Sequence, residues 1–203
     1  DLGGGTFDVS LLESREGLLR VVGHDGDNFL GGRDFDRSIV NWILAQIELE
    51  HGIQIDRKDA ANEEILRRIT LAAEEAKIEL SSSQQTNVCL EQLSIGDTSI
   101  DVDLNLKREV FEQVCQPLLD KTIDICERLL QEKGLSKDQL SRVVLVGGPT
   151  MIPFVRQQVS TRLAPIASGG FDPMTLVAQG AALYASTVGL AAESSKELEN
   201  APA

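Results

Sequence analysis

Three consecutive glycines, Gly3-Gly4-Gly5, stand between Asp1-Leu2 and the alternating run Thr6-Phe7-Asp8-Val9-Ser10-Leu11-Leu12. Nothing else in the sequence restricts the fold as much. Three residues without a Cβ hold neither a helix nor a strand interior cheaply, so they predict a tight turn. The alternation after them reads as the strand that the turn opens. Such a turn lets a ligand lie against bare backbone, and its successive N–H groups form a concavity suited to a phosphate. The Thr6 hydroxyl and the carboxylates of Asp1 and Asp8 flank it, which suits phosphate with a hydrated cation. The sequence opens inside this motif, with no Met and no upstream strand, and we expect it to be part of a larger protein.

Composition narrows the classes. A chain of 203 residues with 42% hydrophobic and 25% charged residues can bury a core as one large domain or two modest ones. The net charge of −13 and the scattered Lys and Arg exclude a nucleic-acid footprint. Cys89, Cys115 and Cys126 form neither a disulfide framework nor a zinc spacing, which points to a reducing compartment. The two histidines, His24 and His51, are far apart, so a His-rich metal centre is not expected. No apolar run approaches the roughly 18 residues of a membrane span.

Hydrophobic periodicity orders the rest. Residues 6–13 and 18–23 alternate around Arg15-Glu16-Gly17, a hairpin signal. A Gly- and Asx-rich loop, His24 to Gly32, leads into a helix carrying Phe35, Ile39, Ile43 and Ile47 at steps of four and stopping near Gly52. Trp42 falls just off that stripe and reads as a packing residue. A second helix runs from about Asn62 to Leu80, followed by strands near Thr86–Leu90 and Ser99–Leu104 joined at Gly96-Asp97. The longest helix is expected over Arg108–Lys133, closing at Gly134. Arg142 to Val146 is a near-continuous apolar run before Gly147-Gly148 and predicts a buried parallel strand. Helices near Pro153–Leu163 and Pro173–Val188 finish the fold, and the tail 191–203 is expected to be disordered. The class is α/β, with residues 33–109 as a natural helix-rich insertion.

Four clusters carry candidate chemistry: Gly3-Gly4-Gly5-Thr6, Leu30-Gly31-Gly32, the face of the second helix, and Gly147-Gly148-Pro149-Thr150. Glycines at the carboxyl end of a parallel strand lie where open α/β sheets bind ligands, although strand-to-helix turns use glycine routinely. Glu74, Lys77 and Ser81 stand at i, i+3 and i+7 on one helix face. By themselves they read either as an exposed Glu–Lys pair or as acceptor and donors for a ribose and a purine edge. Together the clusters favour a nucleotide site, with helix starts nearby to supply N–H donors. No Lys or Arg is evidently aimed at the phosphates. Arg33 is the nearest in sequence and reads as a solvated helix-start residue.

The strings DLGGGTFDVS, GDNFLGGRDFD, AAEEAKIELSSSQQT, VVLVGGPTMIP and FDPMTLVAQGAALYAS, covering about residues 1–190, resemble the second lobe of the nucleotide-binding domain of DnaK-type (seventy-kilodalton heat-shock) chaperones. DLGGGTFD alone marks the wider actin-like ATPase superfamily; LGGxDFD with EExAKxxLSS is specific to the chaperone branch. The resemblance implies an actin-like ATPase (ribonuclease H-like) lobe. It is discontinuous over 1–32 and 110–190, with the α+β subdomain 33–109 inserted. It implies that Gly3, Gly4, Gly5 and Thr6 meet the β- and γ-phosphates, with Gly31 and Gly32 close by. Asp1 and Thr6 would order the attacking water and hydrated Mg2+, with no direct metal ligand in this chain. Glu74, Lys77, Ile78 and Ser81 would meet ribose and adenine, and Gly147, Gly148, Pro149 and Met151 would line the nucleoside. The implied cofactors are ATP or ADP with Mg2+. The implied partners are a J-domain co-chaperone, a nucleotide-exchange factor and, through a C-terminal domain, unfolded peptide clients, in the cytoplasm.

Departures from the family pattern are specific. Met151 stands where Arg is usual, Met174 where Asp is usual, and Arg33 where Glu is common; Ile78 replaces a residue that is often Arg in eukaryotic members. Methionine still covers an aromatic ring with a polarizable surface. Losing one charge-assisted contact costs roughly 1.5–3 kcal/mol, so weaker nucleotide affinity is expected. The first-lobe half of the site is not in this sequence, so turnover by the fragment alone is not expected. A divergent, non-hydrolysing regulatory module that acts through protein contacts is the alternative.

Overall fold

The computed structural model describes residues 1–96 and 98–199, with side chains through Val188. The first antiparallel hairpin pairs β1 (Phe7–Arg15) with β2 (Leu18–Asp27). Its two-residue turn, Glu16-Gly17, has φ of 50° and 82°, the positive angles that match the twist of the flanking strands. Helix α1 (Gly32–His51) follows directly. Its stripe Phe35, Ile39, Ile43 and Ile47 is buried to 1% exposure or less, as the four-residue spacing requires. Gly52 ends it in the left-handed conformation at φ 68°, its N–H donating to the Glu48 carbonyl. Trp42 is half-buried against the same core.

Helix α2 (Glu63–Leu80) lays Ile65, Ile69, Ala73, Ala76 and Leu80 into the core. It packs on the second hairpin, β3 (Gln85–Ile95) with β4 (Thr98–Lys107). Period-two burial of Val102, Leu104 and Leu106 on β4 shows why the pattern folds as a one-sided sheet. Asp97, placed in the expected turn, lies outside the described residues. Helix α3 (Arg108–Glu132) touches β1, β2, α1 and β4 and so ties both hairpins to one core through Phe111, Cys115, Leu119 and Ile123. Two ion pairs secure β2 to it: Arg128 with Asp25 at 2.7 Å and Lys121 with Asp27 at 2.5 Å. These partners hold both carboxyls below the ordinary carboxylate range.

One expectation is corrected. Arg142 to Val146 forms no continuous buried strand. Val143 makes a single parallel bridge to Ile166, and Val144 is 52% exposed. The run is apolar enough for a strand, but its backbone partners are isolated: Pro165 and Ala167 at Val143, and Leu2 at Val146. A ladder needs successive pairs to cooperate, and here each stands alone. After α4 (Pro153–Arg162), helix α5 spans Leu176–Glu199, entering the segment expected to be disordered. Ala, Glu, Lys and Leu dominate that stretch, and their intrinsic preference is helical. Residues 200–203 lie outside the described residues. The described side chains of α5 from Val177 to Val188 are exposed.

Candidate functional site

Three of the four clusters meet. The first turn closes on itself where the Gly3 N–H donates to the Thr6 carbonyl at 2.9 Å. It is then held from two sides. Gly32 N–H donates to the Gly3 carbonyl and Arg33 N–H to the Gly4 carbonyl, both at 2.9 Å, so the start of α1 sits directly on the turn. On the other side, Leu2 N–H donates to the Val146 carbonyl at 2.9 Å, which brings in the Gly147-Gly148 turn.

Close backbone approach explains the residue types. A Cβ on Gly31 would lie 2.5 Å from the Gly5 nitrogen, 2.7 Å from its Cα and 2.8 Å from the Gly3 carbonyl oxygen. One on Gly147 would overlap the Leu2 carbonyl oxygen, and φ there is 96°, which L side chains rarely adopt. Gly4, by contrast, has nothing within 4 Å on the side where a Cβ would project. The lock therefore needs glycine on its buried side and leaves bare backbone on its open side, as a phosphate-sized ligand requires.

Asp1 and Thr6 point to the same place. The Cβ position of Gly3 is 3.7 Å from Thr6 Oγ1 and 3.9 Å from Asp1 Oδ1, and that of Gly147 is 3.0 Å from Asp1 Oδ1. Among the described residues the Thr6 hydroxyl makes no hydrogen bond, and Thr6 is exposed. Asp8 departs from the expectation that it flanks the turn. Its backbone pairs with Asp1, while its carboxylate lies toward Gly26 across the hairpin. Strand alternation decides this, because residue 8 belongs to β1 and faces its cross-strand partner. Among the described residues no group of three or more His, Cys, Asp or Glu converges to hold a metal ion.

The α2 face reaches the cluster through α1. Lys77 Nζ stands 2.6 Å from Asp36 Oδ1, both side chains nearly buried, and Asp36 lies in the second turn of the helix that starts on the glycine lock. The contact is ionic and poorly aligned, since Asp36 Oδ1 gains no well-formed hydrogen bond. Burial pushes the Asp36 carboxyl above the ordinary range, against the pull of Lys77, with Glu74 and Asp34 adding to the push. Lys77 is thus paired with a buried carboxylate from another helix, and not with Glu74 as an exposed pair. Spacing along one helix showed Glu74 at i−3; it could not show a carboxylate from another helix. Ser81 caps α2, its hydroxyl donating to the Lys77 carbonyl at 3.2 Å. Glu74 and Ile78 are exposed.

The Gly147 turn carries Pro149, whose Cγ lies 3.0 Å from the Cβ position of Gly32, so this loop packs on the start of α1. Thr150 is buried and its hydroxyl donates to the Gly147 carbonyl at 2.7 Å. Met151 ends the turn half-exposed. Arg33 is the exposed helix-start residue that its position predicts, and it also reaches back to the first turn. Its Nε donates to the Gly4 carbonyl at 3.3 Å, and the guanidinium lies over Gly5.

Cysteine chemistry has no footing. Burial pushes the Cys115 thiol up to about 12 and the Cys126 thiol up to about 11, and the carboxylate of Asp103 raises Cys89. A cleft of about 590 Å³ is lined by Asn41, Glu48, Gln54 and Arg57. It begins more than two helical turns along α1 from the glycine lock and is open to solvent, so it plays no part in this site.

The glycine lock thus joins a hairpin, a helix start and a second glycine turn in a mixed α/β chain. The sequence pattern of the family described as "Hsp70 protein" matches residues 1–198. Two chaperone proteins DnaK, from two strains of Thermus thermophilus, are each 40% identical to it over 188 residues. That stretch is 91% of this chain and 30% of each relative, so the chain spans less than a third of the curated relatives it matches. The chain belongs to the Hsp70 family.

Proposed function

We propose that this chain is the second lobe of an Hsp70-type nucleotide-binding domain and holds the phosphates and adenosine of ATP or ADP. The observation that carries the reading is the convergence of Gly3–Gly5, Gly31-Gly32 and Gly147-Gly148 on one point with bare backbone on the open side. Gly4, Gly5 and Thr6 would contact the β- and γ-phosphates. Asp1 and Thr6, which share the space beside Gly3, would order the attacking water. Bound Mg2+ would neutralise developing phosphate charge; Asp1 would hold its waters rather than the ion itself. Glu74, Ile78 and Ser81 would border the nucleoside. Lys77, neutralised by Asp36, would shape that wall rather than donate a free charge.

On this reading the discontinuous unit 1–32 with 110–190 carries the phosphate loops, and 33–109 is the inserted subdomain. ATP hydrolysis by the whole protein would control peptide-client binding, assisted by a J-domain co-chaperone and a nucleotide-exchange factor, in the cytoplasm. Among the described residues no helix is long and apolar enough to cross a membrane. The test is single-turnover ATP hydrolysis by the intact protein and its Thr6→Ala variant. The expected result is slow hydrolysis, faster with a J-domain protein and strongly reduced in the variant. Equal background rates in both would replace this reading with a non-hydrolysing regulatory module.

A further inference from the structure

The open side of the glycine lock is not electrically neutral, because Arg33 lies across it. The Cβ position of Gly5 is 2.5 Å from Arg33 Nη2, 3.2 Å from Cζ and 3.3 Å from Nε, so the guanidinium stretches along the bare backbone of residue 5. The backbone N–H of Arg33 is bonded to the Gly4 carbonyl, and its Nε donates to the same oxygen. That uses one of five side-chain donors. The neighbouring carboxylate is engaged elsewhere: Asp34 accepts from the Gly31 N–H at 2.9 Å and faces Arg37 at 3.6 Å. Among the described residues Arg33 makes no ion pair. Oriented forks of this type bind phosphate oxygens in pairs.

We propose that Arg33 is a phosphate-binding residue of this site: its guanidinium, laid over Gly5 and tethered at Gly4, contacts the terminal phosphate oxygens of a nucleoside di- or triphosphate. This rests on the nucleotide reading above and adds to it a specificity for the polyphosphate end. Backbone N–H groups at the turn hold an anion through partial charges, and Arg33 adds a full positive charge from the same lobe. Its contribution is felt by the phosphates and not by the nucleoside.

The test is calorimetric titration of the intact polypeptide carrying this sequence with ATP, adenosine and inorganic tripolyphosphate, for the parent, Arg33→Gln and Arg33→Lys. Losing the charge-assisted contacts should weaken ATP and tripolyphosphate about ten- to a hundredfold in Arg33→Gln. Adenosine affinity should stay unchanged, and Arg33→Lys should fall between. The salt dependence of ATP binding should also flatten in Arg33→Gln. ATP affinity unchanged in Arg33→Gln overturns the proposal. So does an equal loss for ATP and adenosine, which would mark Arg33 as a mere brace of the loop. If the parent binds tripolyphosphate through Arg33 but neither ATP nor adenosine, the anion site stands and the nucleotide reading falls. If it binds none of the three, both fall.

Discussion

Gly31→Ala should unlock the hairpin from α1. The new Cβ meets backbone atoms at 2.5, 2.7 and 2.8 Å, and backbone, unlike the tip of a side chain, has nowhere to rotate. Restoring ordinary contact at about 3.5 Å means separating the turn from the helix start by up to about 1 Å. That displacement would stretch the bonds Gly32 N–H to Gly3 and Arg33 N–H to Gly4, both now 2.9 Å, out of hydrogen-bonding range. Either the overlap stays, at about 1–3 kcal/mol, or it is relieved by losing two bonds worth about 1 kcal/mol each. Relief of one makes the other worse, so the two do not simply add, and the net destabilisation should be about 2–4 kcal/mol. For a chain of this size that lowers the melting temperature by roughly 5–15 °C. Gly4→Ala is the internal control, with open space around its Cβ and no positive φ. It should stay within about 0.5 kcal/mol of the parent. Thermal melts followed by circular dichroism read both. If Gly31→Ala melts with the parent, or Gly4→Ala falls as far, the glycine lock is not what holds these loops together.

Other perturbations address the interior. Lys77→Ala should cost about 3 kcal/mol by leaving Asp36 buried without its partner, and Asp36→Asn in the same chain should recover part of it. Since burial already raises the Asp36 carboxyl, the protonated form is the one favoured by folding. The deficit of Lys77→Ala should therefore grow as pH rises from the ordinary carboxylate range through the raised folded value, and shrink below it. Urea unfolding of both variants at acid and neutral pH checks this; a pH-independent deficit would rule out the buried-charge account. Thiol labelling at mildly alkaline pH should modify Cys89 alone in the folded protein, slowly, with Cys115 and Cys126 reacting only on unfolding. Native labelling of Cys115 would show that the α1–α3 core opens.

Much of the architecture was legible because local periodicity and local chemistry agree. The stripe Phe35–Ile47, the stop at Gly52 and the alternation of Val102, Leu104 and Leu106 each state an element and its buried face without reference to the rest of the chain. The failures occur where the answer depends on partners. Arg142 to Val146 has the composition of a core strand, but a strand exists only through its neighbours, and here those are a single bridge and a few isolated bonds.

For the site, residue type and spacing were enough to establish that three glycine turns exist and that Asp1 and Thr6 flank the first, because those are local properties of the chain. That the turns meet is a matter of packing, since contacts between residues 3–5, 31–32 and 147 are fixed by how α1 sits on the hairpin and not by any local preference. Cross-strand pairing turned Asp8 toward Gly26, while the packing of the helices sealed Lys77 against Asp36 and folded Arg33 back over Gly5. A long charged side chain has many rotamers of similar energy in the unfolded chain. Which one it adopts is set by the partners that the finished fold brings within reach.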